Sequence, residues 1–273
     1  MASLRTAEQL ICEVLVPLRG WSIVGIDNVH GRVMGTVAVI DARVVPLLRK
    51  SALLGSLPES ALGRLVRRGQ CRLVRKSEVL CWRGDPGDSA MLILSGGVKV
   101  SNTSMDGREI GLNFLSAGDL VGEIAALDGR ERTATVTAID DSEVFIIYRE
   151  SLLEILASNP DATSELLGVL CERLRTATAI IEDGVHEMQG RLARGLLRLA
   201  LQHGTKQRDR IRINLRLSQT ELGNYVGLSR PNVSRQLTRL KELGLIEMDG
   251  STVVILDEPQ LSCLAEHGPS RGH

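Results

Sequence analysis

Aromatic residues are scarce in this 273-residue chain: two Trp, two Tyr and two Phe, 2% of the sequence. That scarcity argues against the base-stacking platforms that bind single strands or RNA. Cysteine occurs five times, at Cys12, Cys71, Cys81, Cys171 and Cys263, and never at metal-ligand spacing. A zinc site or an iron–sulfur sensor needs a cluster, so the thiols read as reduced structural residues of a cytoplasmic protein. The five histidines are equally dispersed, which speaks against haem or zinc. Net charge is absent as well, with 33 Lys and Arg against 33 Asp and Glu; the whole molecule carries no field that would gather nucleic acid. In the first forty residues Glu13, Arg19, Asp27 and Arg32 break every apolar run, which excludes a membrane span there, and no small-residue cleavage site marks a secretory signal. No Gly-x-x-x-x-Gly-Lys loop, metal-ligand cluster or nucleophile elbow is found, so no enzyme is expected.

What is present is an ordinary globular composition, 43% apolar and 24% charged, in a length suited to one or two domains. The charge is uneven. Between Gly190 and Gly250 stand twelve Lys or Arg against five Asp or Glu, as expected of a DNA-binding module tethered to something else. Residues 1–43 match no pattern and read as a short extra helix, a disordered arm or an artefact, with Met34 an alternative start. From Val44 the chain changes character. A short helix is predicted from Pro58 to Val66, followed by many short strands parted by turns such as Gly84-Asp85-Pro86-Gly87-Asp88 and Asp106-Gly107. Met91–Leu94, Ser95-Gly96-Gly97 and Val98–Val100 read as a hairpin. Such spacing predicts a β-sandwich or jelly roll over 44–160. After Asn159-Pro160 the period becomes helical: Leu167, Leu170, Leu174, Ala177, Ile181, Gly184 and Met188 form a heptad seam, which predicts a dimerisation helix over 161–189.

One segment inside the strand region carries distinctive chemistry. Gly122-Glu123-Ile124-Ala125-Ala126-Leu127-Asp128-Gly129-Arg130-Glu131-Arg132-Thr133-Ala134 sets a carboxylate and a guanidinium nine positions apart among small residues. Arginine presents a planar donor fork to a phosphate, and a carboxylate accepts from a ribose hydroxyl. Gly122, Ala125 and Ala126 let a ligand approach the backbone, Thr133 adds a hydroxyl, and a short helix start there would offer free N–H groups to an anion. A nucleoside cyclic phosphate needs this set.

A second segment, Ser218 to Leu240, reads as helix, tight turn, helix. Ser218 and Glu221 form a capping box, Gly227 suits the turn, Ser229 caps the second helix, and Pro231 is tolerated in its first turn. Leu222, Val226, Leu228, Val233, Leu237 and Leu240 supply the apolar contacts, leaving Arg230, Asn232, Ser234, Arg235 and Arg239 outward, donors for phosphates and for purine edges in a major groove. Strands at Ile211–Ile213, Leu245–Met248 and Thr252–Ile255 would complete a winged module over 190–262, with 263–273 as a tail.

The first segment resembles the phosphate-binding cassette of cyclic-nucleotide-binding domains, and the second resembles the winged helix-turn-helix of the CRP/FNR family of bacterial transcription regulators. The resemblance covers roughly residues 44–257 and implies an α+β architecture: an N-terminal β-sandwich (jelly roll) cyclic-nucleotide-binding domain, a long dimerisation helix and a C-terminal winged helix-turn-helix. By that resemblance the ligand site comprises Gly122, Glu123, Ile124, Ala125, Arg132 and Thr133, with Thr176 or Thr178 at the base. DNA would be met by Ser218, Thr220, Ser229, Arg230, Asn232, Ser234 and Arg235, with Arg230 and Arg235 as the main base readers. The implied ligand is cyclic AMP, with cyclic GMP in reserve because Thr133 could contact a guanine. The implied partners are double-stranded DNA, a second copy of the chain and RNA polymerase, with no membrane. Two positions depart from the pattern. Pro231 stands where a glutamate often accepts from cytosine, so the operator would differ. The base-contacting Thr-Ser pair is replaced by Arg175-Thr176-Ala177-Thr178-Ala179, which leaves the base open. A family member that answers another signal, or none, is the alternative.

Overall fold

The computed structural model describes residues 21–22, 40–41, 44–51, 54–183 and 187–267. Before the main body, β1 (Trp21–Ser22) pairs antiparallel with β2 (Ile40–Asp41); the remaining readings for residues 1–43, Met34 included, lie outside the described residues. Then come α1 (Val44–Lys50) and α2 (Glu59–Arg68), the latter entered through Pro58 at the N-cap rather than starting on it. The strands follow: β3 (Gln70–Val74), β4 (Val79–Cys81), β5 (Ser89–Ser95), β6 (Gly97–Thr103), β7 (Glu109–Ser116) and β8 (Leu120–Val121). After α3 (Glu123–Asp128) come β9 (Thr135–Ala138) and β10 (Ser142–Tyr148).

These strands make two antiparallel four-stranded sheets, ordered β3-β10-β5-β8 and β4-β9-β6-β7. Met91, Ile93, Val98, Val136 and Val144 fill the space between them. The outer face of the first sheet is covered by α1, α2, α4 (Arg149–Ser158) and the start of α5 (Pro160–Asp183), through Leu48, Leu62, Leu92, Phe145 and Leu152. β5 is therefore apolar on both faces, buried at its first six positions, as strands covered on both sides are. This overturns the hairpin expected over Met91–Val100. β5 lies between β10 and β8, β6 lies between β9 and β7, and Gly96, at φ 79°, turns the chain from one layer into the other.

α5 turns Ala162, Leu166 and Thr176 inward, with Leu170 and Ile180 partly covered. Leu167, Leu174 and Ile181 stay 58, 69 and 78% exposed. Of the expected seam, Leu170 belongs instead to the helix's own domain, Met188 opens the next helix, and Gly184 lies outside the described residues.

The C-terminal module begins with α6 (Met188–His203) and continues through β11 (Gly204–Gln207), β12 (Arg210–Ile213), α7 (Gln219–Val226), α8 (Arg230–Glu242), β13 (Ile246–Asp249), β14 (Thr252–Ile255) and α9 (Glu258–His267). Its sheet runs β11-β12-β14-β13. β11 and α9 were not read from the sequence; α9 passes position 262 and buries Leu261 and Ala265 in the module's core. That core also takes in Phe114 and Ile139 from the sandwich, so the two modules share one apolar cluster.

His203 sits at this junction. Its Nε2 lies 2.9 Å from the Phe114 carbonyl and its Nδ1 3.3 Å from the Ser116 hydroxyl. Nε2 therefore carries the proton, and Nδ1 accepts. Burial pushes its pKa below the ordinary 6.5, opposed by the Asp119 charge and the Phe114 carbonyl. A folded state that favours the neutral ring is stabilised by it above pH 6.5 and loses that contribution as pH falls through the lowered folded value. The melting temperature is expected to drop between about pH 7.5 and about pH 5.5, and His203→Gln is expected to flatten that drop. Superimposable pH profiles of the two proteins would assign the acid sensitivity elsewhere.

Candidate functional site

The cassette is built where β8 hands over to α3. Gly122 adopts φ 78°, and a Cβ on it would lie 2.4 Å from Nη1 of Arg132. Glycine is needed for both backbone and space. The turn carries Glu123 fully into the protein, 0% exposed. Its Oε1 accepts from Nη1 of Arg173 on α5, while its Oε2 has no partner. Arg132 is also buried: Nη1 donates to the carbonyls of Ser89 and of Gly122 (2.9 Å), Nη2 to the Ser89 hydroxyl (3.0 Å), with Asp88 at 3.4 Å. Its Nε is unpartnered.

Glu123 and Arg132 thus do not pair with each other; both border one cavity of about 60 Å³, walled by Gly122, Ile124, Ala125 and Thr133 among others. Cys81 lines it too, and burial pushes its thiol up, against the nearby Arg132. Of the two threonines proposed for the base, Thr176 is buried against a different cavity and Thr178 is exposed, its hydroxyl donating to the Leu174 carbonyl; neither borders the cassette.

Three contributors were missed. Arg173 holds Glu123 and also donates to the Leu120 carbonyl. Counting helical steps from Leu166 and Leu170 places it on the inward face of α5, a signal the sequence offered. Ser89 and Cys81 enter from separate strands, and no spacing announces them.

In the C-terminal module the capping box is formed: Ser218 Oγ accepts from Glu221 N at 3.2 Å, and the Glu221 carboxylate accepts from Ser218 N at 2.7 Å. Gly227 ends α7 at φ 67°. Arg191 of α6 donates to the carbonyls of Val226 and Gly227, closing the end of α7 from outside. Gly223 meets the Leu228 carbonyl so closely that a Cβ would fall 2.5 Å from it, which sets the tight angle between α7 and α8. Ser229 occupies the N-cap of α8, but its hydroxyl makes no capping bond, contrary to expectation; its carbonyl accepts from Val233 N instead. Ser218, Thr220, Ser229, Arg230 and Arg235 are exposed, and Asn232 and Ser234 half-buried. Arg235 donates to Oδ1 of Asn232, so two predicted readers orient each other.

This is a sensor domain joined to a helix-turn-helix reader. A cyclic nucleotide-binding domain model matches residues 71–159, and a Crp-like helix-turn-helix domain model matches residues 190–264. The CRP-like cAMP-activated global transcriptional regulator of Mycobacterium tuberculosis is 30% identical over 217 residues, covering 79% of this chain and 97% of that protein. The Cyclic AMP receptor protein of Thermus thermophilus is 32% identical over 197 residues, covering 72% and 88%. Among solved structures, FixK2 of Bradyrhizobium japonicum shares the fold (TM-score 0.64, 23% identity, 72% of this chain and 96% of that one). CLP of Xanthomonas campestris, described as a c-di-GMP-responsive global regulator, matches at TM-score 0.58 and 26% identity, over 72% and 99%. The chain belongs to the CRP-like DNA-binding transcription regulators that carry a cyclic nucleotide-binding domain. Among the described residues no group of His, Cys, Asp and Glu could hold a metal ion, and no helix is long and apolar enough to cross a membrane.

The cassette geometry makes a direct prediction. Gly122→Ala strains a left-handed position and presses on Arg132, so it is expected to cost about 1–2 kcal/mol. Urea unfolding reads it; a midpoint equal to wild type would mean that Arg132 has another place to go.

Proposed function

We propose that this regulator is a homodimer gated by a cyclic nucleotide, cyclic AMP first and cyclic GMP second. The observation that carries the reading is the convergence of buried Glu123 and Arg132 on one cavity, each with an unpartnered polar atom. Buried polar groups without partners are costly, and a ribose hydroxyl for Glu123 Oε2 and a cyclic phosphate for Arg132 would satisfy both. Thr133 stands at the rim for the phosphate or a guanine. The cavity is well below the roughly 300 Å³ of ordinary small-molecule sites, so a nucleotide has to open it, and the wall able to move is Arg173 with α5. Thr178, on the exposed face of that helix, is the better placed threonine for a base presented there.

The exposed Leu167, Leu174 and Ile181 recur every seven residues, the spacing of a two-stranded helical seam. Pairing them would put two readers on a near-palindrome, with half-sites about 10 base pairs apart. A ligand preferring one arrangement of α5 then shifts the population toward the DNA-competent dimer. Cytoplasmic location and contact with RNA polymerase accompany this reading. A second reading, a regulator deaf to cyclic nucleotides, is favoured by the Arg173–Glu123 contact, which already occupies half of the carboxylate.

Isothermal titration with cyclic AMP and with cyclic GMP separates the two. Micromolar binding of one nucleotide is expected; no heat from either would establish the second reading. In a binding protein, Arg132→Ala is expected to lose about 1.5–3 kcal/mol, roughly 10- to 150-fold in affinity, and an unchanged affinity would remove Arg132 from the site. Arg235→Ala is expected to relax one base pair of the operator by about 1–3 kcal/mol of discrimination; selection from random duplexes returning the wild-type motif would remove Arg235 from the readers.

A further inference from the structure

Strand β7 of the sensor and helix α7 of the reader approach each other backbone to backbone at one point. Gly111 lies in the middle of β7 and has no positive φ, so its backbone conformation does not require glycine. A Cβ on it would stand 3.0 Å from both Cα and N of Tyr225 on α7. Glycine within a strand weakens it and marks a close approach of another backbone; here that backbone is the first helix of the helix-turn-helix. Contacts flank this point on both sides. Glu109 Oε2 accepts from Nδ2 of Asn224 at 2.8 Å, while its other oxygen accepts from Lys99 at 2.7 Å and from the Ser101 hydroxyl at 2.8 Å. The Phe114 and Tyr225 rings meet at 5.4 Å between centroids, tilted by 58°. At the far end His203 Nε2 donates to the Phe114 carbonyl.

The other side of Tyr225 is held from α6, which α5 grips through Asp183. Arg198 stands 5.4 Å above the Tyr225 ring and pairs with Asp183 at 2.5 Å, and Arg194 reaches the same carboxylate at 3.6 Å. Asp183 is the last residue of α5, the helix whose Arg173 holds Glu123 in the cassette. One chain of contacts therefore runs from the cassette through α5 to Tyr225 and β7. Beside it a cavity of about 230 Å³ is bordered by Phe114, Asp119, Leu166, Arg173, Thr176 and His203. That cavity is bordered by β7, α5 and α6, so α5 has open space on the side that faces β7.

We propose that the β7–α7 seam is a latch: it holds the reader in the resting orientation, and displacement of α5 at the cassette releases it through Asp183, Arg198 and Tyr225. The proposal rests on the ligand-gated reading above for its trigger, but its test needs no ligand. Full-length Gly111→Ala, which presses on the Tyr225 backbone, is expected to bind the selected operator roughly five- to fifty-fold more tightly than wild type without nucleotide. Its small-angle scattering should show a larger radius of gyration. Asn224→Ala, which only removes the hydrogen bond to Glu109, is expected to act in the same direction and more weakly; it keeps the test intact should Gly111→Ala fold poorly. Unchanged ligand-free operator binding in a folded variant, or weaker binding, would overturn the latch, the latter by making the docked arrangement the DNA-competent one. Absence of nucleotide heat in the wild-type titration would count against the gating reading alone.

Discussion

The sensor is organised around two buried charges that do not neutralise each other. A carboxylate and a guanidinium taken out of water each need a partner or a set of dipoles. Arg132 is met by backbone carbonyls and a hydroxyl from the head of β5 and the Gly122 turn, all within the sandwich. Glu123 is met by Arg173, which comes from α5. The first compensation fixes the cassette on the sandwich; the second ties it to the helix that leads out of the domain. Neither is complete, since Glu123 Oε2 and Arg132 Nε remain without partners, and that incompleteness is the ground for proposing a ligand there.

The reader depends on the same helix at its other end. Asp183, buried at the end of α5, gathers Arg194 and Arg198 from α6. α6 in turn closes the end of α7 through Arg191 and packs under α9. The two surfaces are thus joined by charge pairs in the middle and at the end of one helix and by close contact of α7 against β7. Around the apolar cluster that the two modules share, ion pairs, hydrogen bonds and one tilted aromatic pair add contacts of defined geometry.

Much of this was legible from local patterns. The cassette residues and the helix-turn-helix were found because their chemistry is contiguous: glycine at left-handed turns, a capping box within four residues, donors repeating on one helix face. The failures share the opposite property. The hairpin over Met91–Val100 failed because an apolar strand followed by a glycine turn looks the same whether its partner lies beside it or across a sandwich; burial on both faces of β5 decided the matter. Leu170 was placed on the outer seam because a heptad count does not say which of two adjacent apolar stripes the domain will cover. β11 has no apolar alternation and is exposed throughout, so it gave no signal.

The sequence by itself determined the two-domain layout, the left-handed turn at Gly122, the capping box of α7 and the outward arginines of α8, because each is specified by residues near one another in the chain. Only the tertiary structure decided that Arg173 is the partner of Glu123, that Thr176 faces away from the cassette, and that Gly111 exists to let α7 approach β7. The first and the last join residues 50 and 114 positions apart, and such contacts are set by how layers and helices pack after the local elements have formed.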